Sequence, residues 1–144
     1  MKHEERRIIK HTPSNLYNLV ADVKKYPEFL PWCLGARVKN TSLKSFEADL
    51  IIGFKIYKEI YSSIITLDKK KKKIIVDYKD GPFEYLQNYW LFKENPDGCE
   101  IEFMVDFKFK SIFLHLLLDY INHLEYVLIF SVLHASFKNT FLII

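Results

Sequence analysis

The chain has 144 residues and carries 21 Lys+Arg against 18 Asp+Glu, the size of one domain. Half of it is hydrophobic, with 12 Phe, 9 Tyr and 2 Trp, which excludes a disordered chain; 4 Gly and 5 Pro exclude collagenous and linker-like designs. Net charge is +3, but five consecutive lysines, Lys69 to Lys73, supply more than all of it, leaving 16 against 18 elsewhere. That is one basic tip on a near-neutral protein, not the broad basic face of a DNA binder.

Lysine and isoleucine excess (18 Lys to 3 Arg, 16 Ile to 4 Ala) is what an AT-rich coding sequence produces, so it carries little functional weight. Cys33 and Cys99 form no CxxC pair and read as small buried hydrophobes with free thiols. The charged stretch Met1 to Lys10 has no apolar signal core, so a cytoplasmic location is expected. The longest uncharged apolar stretch, Tyr126 to Phe137, has twelve residues; a membrane span needs about twenty.

Glu4 to Lys10 reads as a weakly patterned first strand. Thr12 before Pro13 marks a helix start, with Leu16, Leu19, Val20 and Val23 at helical spacing. Tyr26-Pro27 and Leu30-Pro31 break it, leaving a short second turn from about Lys24 to Leu30. From Phe46 to Ile56 the even positions are apolar and the odd ones largely polar, the signature of a half-buried strand. Ile60 to Leu67 and Ile74 to Tyr78 continue as strands, then Leu86, Asn88, Trp90 and Phe92 form an inward set. Asn95-Pro96-Asp97-Gly98 is a turn, followed by the alternation Ile101, Phe103, Val105, Phe107, Phe109. After Ser111 the period becomes 3.6: Phe113, Leu117, Tyr120, Leu124 and Leu128 share one helical face.

The expected order is therefore strand, two short helices, six strands and one long helix, an α+β domain over residues 1–144. A twisted antiparallel sheet of six or seven strands is too wide for one helix to fill. The large inward residues Phe54, Trp90, Phe92, Phe103 and Phe107 then either pack a solid core or wall an apolar cavity.

The run from Val20 to Cys33 (VADVKKYPEFLPWC) resembles the signature of the coenzyme Q-binding protein family, in the START-like (polyketide cyclase/dehydrase) helix-grip superfamily. Further matches are Ala48-Asp49-Leu50, Gly53-Phe54, Ser63, Gly81-Pro82-Phe83, Leu86, Asn88, Trp90, Phe92 and Val105 to Phe109. The resemblance covers about Arg7 to Ser111. It departs at the C-terminus, where Ala135 to Asn139 replaces a Phe-Glu-x-Arg-Ala-like segment.

The resemblance implies a curved sheet gripping a long C-terminal helix. It implies binding of ubiquinone or a similar polyprenyl quinone in support of respiratory electron transport, with no chemistry and no resident cofactor. Expected ligand-binding walls are Leu50, Ile52, Phe54, Trp90, Phe92, Phe103, Val105, Phe107, Leu117 and Leu124, with Phe29, Leu30 and Trp32 at the mouth. The alternative implied is that of the related ribosome association toxins (RatA), which bind the large ribosomal subunit and inhibit translation. An aromatase/cyclase enzyme of the same superfamily should place titratable groups inside the cup, and the inward positions read from strand parity contain almost none.

No catalytic or metal site is expected. His115, Asp119 and His123 are spaced i, i+4, i+8 on the polar face of the last helix and lack a fourth ligand. Asp49 and Asp106 sit at outward parity, and there is no GxSxG, HExxH, P-loop or GxGxxG motif. Lys69, Lys70, Lys71, Lys72 and Lys73 read either as a solvated hairpin tip or as a contact for anionic lipid at the inner membrane face or for ribosomal RNA.

Overall fold

A computed structural model describes residues 1–30, 32–54, 57–114 and 116, with Phe54 described in its backbone only. Its elements run β1 (Lys2–Ile9), α1 (Pro13–Ala21), a 3-10 turn (Val23–Lys25), α2 (Tyr26–Phe29), then β2 (Cys33–Lys39), β3 (Ser45–Phe54), β4 (Tyr57–Asp68), β5 (Lys73–Asp80), β6 (Phe83–Asn95) and β7 (Gly98–Phe109). Residues 112–114 are helical. The long helix expected after them, with Leu117, Leu124, His115, Asp119, His123 and the atypical segment from Ala135, lies outside the described residues.

All seven strands form one antiparallel sheet in the order β1-β7-β6-β5-β4-β3-β2. Each later strand neighbours its predecessor, and β1 returns to pair with β7 along its whole length, from Lys2 opposite Asp106 to Ile9 opposite Cys99. The expected strands are present, and the one of the six that shows no clear alternation, the first after the helices, is Cys33–Lys39. Its signal is weak because a bulge at Leu34 to Gly35 interrupts the alternation.

Thr12 caps α1, its hydroxyl accepting from the Asn15 amide at 3.2 Å, with Pro13 at the first helical position. Leu16, Tyr17 and Val20 form the buried face of that helix. Pro27 stands in the first turn of α2, where its missing N–H costs nothing. The helices lie across one end of the sheet. Leu16, Tyr17, Val20, Val23 and Leu30 join Phe46, Ala48, Ile65, Ile74, Trp90, Phe92, Cys99 and Ile101 in a single core. Both cysteines are buried and free, and burial pushes both thiols up.

The opposite face of the sheet carries charge. Asp49 pairs with Lys39 at 3.0 Å and Arg37 at 3.5 Å, and Glu47 with Lys79 at 2.6 Å. Glu102 lies between Lys93 and Arg6. The outward parity of Asp49 and Asp106 is thereby accounted for: both carboxylates belong to surface ion pairs.

Candidate functional site

Strand register assembles the concave face. Direct pairing puts Ile74, Trp90 and Phe103 in one row across β5, β6 and β7, and Leu50 beside Tyr61 across β3 and β4. Of the residues expected to wall a cup, Leu50, Trp90, Phe92, Phe103 and Val105 lie buried on this face, while Ile52 and Phe107 are half-buried and packed against the core. Trp90 stacks parallel to Phe92 at 6.1 Å and tilts onto Phe103 at 4.5 Å. The Trp90 indole donates to Asn88 Oδ1 at 2.7 Å.

The expected mouth residues separate by depth. Leu30 is 1% exposed and belongs to the core rather than to a rim. Phe29 packs edge-on against Tyr26 at 5.8 Å and stays half-buried. The Trp32 carbonyl accepts from the Gly53 amide at 2.9 Å, fixing this residue at the β3–β4 end of the sheet. Its indole Nε1 is buried without a hydrogen-bond partner among the described residues.

Parity reading undercounted the polar groups on this face. Tyr61 and Tyr78, on neighbouring strands, stack at 6.1 Å and 10°, and both meet the edge of Phe83. Phe83 in turn stacks on Phe109 at 4.7 Å and meets Phe107 at 5.8 Å. The buried Ser63 faces Tyr78 across the β4–β5 pair. Tyr26 donates its hydroxyl to the Val20 carbonyl. Burial pushes the Tyr26 and Tyr61 hydroxyls well above the usual tyrosine range, so both are neutral O–H groups at ordinary pH. The Tyr78 hydroxyl is buried and has no partner among the described residues.

The edge strand corrects the reading further. His3, Glu5 and Arg7 pair with Val105, Phe103 and Ile101, which places all three on the concave side. His3 Nε2 lies 3.3 Å from Glu5 Oε2, and Arg7 Nε donates to Glu5 Oε1. Both parities of β1 are polar, so only pairing with β7 decides which set turns inward. The tyrosines could have been found from Tyr61 and Tyr78 lying at the same parity as Ile65 and Ile74.

The lysines cap the β4–β5 hairpin at the far end of β4. Asp68 Oδ1 accepts from the Lys71 amide at 2.9 Å, and Lys72 takes a left-handed conformation, φ 52°, to close the turn. Lys69, Lys70 and Lys71 are exposed. Lys73 instead lies over the Tyr89 ring at 5.1 Å. The Leu67 amide bonds to the Lys44 carbonyl, which brings the β2–β3 turn with Lys44 and the 97% exposed Leu43 beside this tip. Among the described residues no group of three metal-ligating side chains occurs, and no helix is long and apolar enough to cross a membrane.

A family model described as polyketide cyclase / dehydrase and lipid transport matches residues 9–122. The chain is 33% identical to the ribosome association toxin RatA of Rickettsia prowazekii over 79% of its own length and 80% of that protein's. It is 32% identical to the mitochondrial coenzyme Q-binding protein of Drosophila melanogaster over 76% of its length, spanning about half (47%) of that relative. A crystal structure of a Thermus thermophilus protein superposes with a TM-score of 0.80 at 16% identity, covering 94% of this chain and 93% of the other. That likeness is one of fold, a curved seven-stranded helix-grip-like architecture.

Proposed function

Given that this chain belongs to the polyketide cyclase/dehydrase and lipid transport family, we propose that it is a ribosome-associating inhibitor of translation built on a ligand-binding cup. The observation that carries this reading is the likeness to the Rickettsia prowazekii toxin, which runs through most of both chains. The fold and family are consistent with a non-catalytic, ligand-binding role.

Geometry favours RNA over a membrane as partner of the basic tip. Trp32 is tied to Gly53, which pairs with Lys58; the tip follows Asp68 at the other end of the same strand. Ten residues of β-strand separate the two by about 33 Å. A planar bilayer touching Lys69, Lys70 and Lys71 would leave the Trp32 end remote, so the tip would not help load a cup from the membrane. A second, bulky polyanion suits it better, with each lysine–phosphate contact releasing counterions. The test is co-sedimentation of the purified protein with ribosomal subunits on gradients at several salt concentrations. Migration with the large subunit at low salt, weakened by raised salt and by replacing Lys69, Lys70 and Lys71 with Ser, is expected. Protein that remains at the top of the gradient at low salt overturns the reading.

A second reading, quinone binding at the peripheral face of the respiratory membrane, is favoured by the aromatic concave face and by the likeness to the Drosophila protein. Buried isoprenoid carbons contribute about 0.8 kcal/mol per CH₂, so a few isoprene units suffice for tight binding between the walls formed by Leu50, Ile52, Trp90, Phe92, Phe103, Val105 and Phe107. Phe54, Leu117 and Leu124 belong to the same proposed wall, with Phe29 and Trp32 at its rim and Leu30 anchoring the rim from below. Solvent extraction followed by mass spectrometry tests it. A cup that comes empty and refuses added ubiquinone sinks this reading without touching the first.

A further inference from the structure

We propose that Tyr78, backed by Tyr61 and Tyr26, is a hydrogen-bond donor subsite on the concave face that takes the carbonyl oxygen of a neutral, otherwise apolar ligand. The inference rests on the cup being a ligand site and is independent of the ribosome.

The cluster is assembled by register. Tyr78 faces Ser63 across the β4–β5 pair, and its ring stacks on Tyr61, two residues along β4. Phe83 closes the outer side of both rings, meeting them edge-on at 5.6 and 5.8 Å. Three of these polar groups have partners: Tyr26 donates to the Val20 carbonyl, and the Tyr61 and Ser63 hydroxyls hydrogen-bond each other. Tyr78 is the exception, a buried hydroxyl without a partner among the described residues. Folded proteins rarely leave such a group unpaired, because the lost water is not replaced. An oxygen brought in by a ligand would replace it.

The chemistry of that ligand follows from what surrounds the hydroxyl. Phe83, Phe107 and Phe109 continue the ring cluster, so the body of the ligand is apolar. Among the described residues the groups that meet these rings are tyrosine rings bearing O–H donors and other aromatic rings. The basic side chains His3 and Arg7 stand at the β1 edge with Glu5 as partner, so a carboxylate or phosphate at Tyr78 would be buried without a counter-charge of its own. A carbonyl accepts such a donor and carries no charge. Ester, ketone and quinone oxygens all satisfy this; a pure hydrocarbon does not.

The probes are decylubiquinone and decylbenzene, which share the ten-carbon chain but differ in ring oxygens, titrated calorimetrically into the wild type and Tyr78→Phe. The wild type is expected to prefer the quinone by about tenfold or more, the worth of one net hydrogen bond or slightly over. Y78F should erase that preference by weakening the quinone alone, while its Tm stays at or above that of the wild type because no orphan hydroxyl remains. Y78F that keeps the full preference overturns the subsite. Equal weakening of both probes overturns it too. Wild type that binds neither probe overturns the cup reading itself, and binding of both without preference overturns only the subsite. Should Y78F fail to fold, fluorotyrosine at position 78 decides: its ¹⁹F signal should shift with decylubiquinone and not with decylbenzene, and equal shifts refute the proposal.

Discussion

Asn88 joins the indole of Trp90 to the backbone of the next strand: its Oδ1 accepts from Trp90 Nε1 at 2.7 Å, and its Nδ2 donates to the Met104 carbonyl at 3.0 Å. A polar side chain at inward parity is thereby satisfied on both sides, and the large ring it holds is 6% exposed. Asn88→Leu would leave the buried indole N–H unpaired. A loss of about 1–3 kcal/mol is expected, measured by urea unfolding. An unchanged urea midpoint would mean that the indole finds another acceptor.

The tight turn before β7 depends on Gly98, which adopts φ +129°. A Cβ there would lie 2.3 Å from the Ile9 carbonyl oxygen and 2.9 Å from Lys10 Cα, backbone atoms where the edge strand ends. Neither can swing aside as a flexible side chain would. Gly98→Ala should therefore cost about 2 kcal/mol or more through strain and displacement of β1. A thermal melt checks it; a variant melting with the wild type would show that β1 separates from this turn at no cost.

Much of this was legible in the sequence because burial on one face writes itself as alternation. Phe46 to Leu50 and Ile101 to Phe107 could be assigned to faces directly, and Thr12-Pro13 announced α1. What could not be read has physical reasons. Cys33 to Lys39 is bulged, and Gly35 has no side chain to declare a face. In β1 both parities are polar, so the inward turn of His3, Glu5 and Arg7 emerges only from pairing with β7, more than ninety residues away. The tyrosine cluster was hidden for a different cause. Tyr61 and Tyr78 count as ordinary apolar strand residues until their hydroxyls are found buried beside Ser63.

Acid should weaken the sheet through its outer face. Asp49 accepts from Ser62 Oγ at 2.7 Å and lies beside Lys39 and Arg37, which together hold its carboxyl below the usual range, the Ser62 hydrogen bond contributing most. A carboxyl depressed in the folded state stabilises it above the unfolded-state pKa, and that stability is lost as pH falls through the folded value. Asp49→Asn should thus be less stable than the wild type at pH 7, by about 1 kcal/mol or less for so near-surface a group. The gap should close as acid protonates the wild-type carboxyl. Denaturant melts from pH 7 to 3 test this, and a gap that widens on acidification would contradict the assignment.

The lysine tip divides into groups that touch the fold and groups that do not. Lys69, Lys70 and Lys71 are exposed, so replacing all three with Ser should leave the Tm unchanged. Lys73 lies over Tyr89, a contact worth about 0.5–1 kcal/mol, and Lys73→Ser should lower stability by that amount. Lys72 has φ 52°, which glycine adopts freely, so Lys72→Gly should be neutral or stabilising. In polyanion binding the order reverses. The triple variant should flatten the plot of log affinity for single-stranded RNA against log salt by about two units, at about 0.7 per lost phosphate contact, while Lys73→Ser changes it least. A triple variant with the wild-type salt slope would assign the tip to solvent alone.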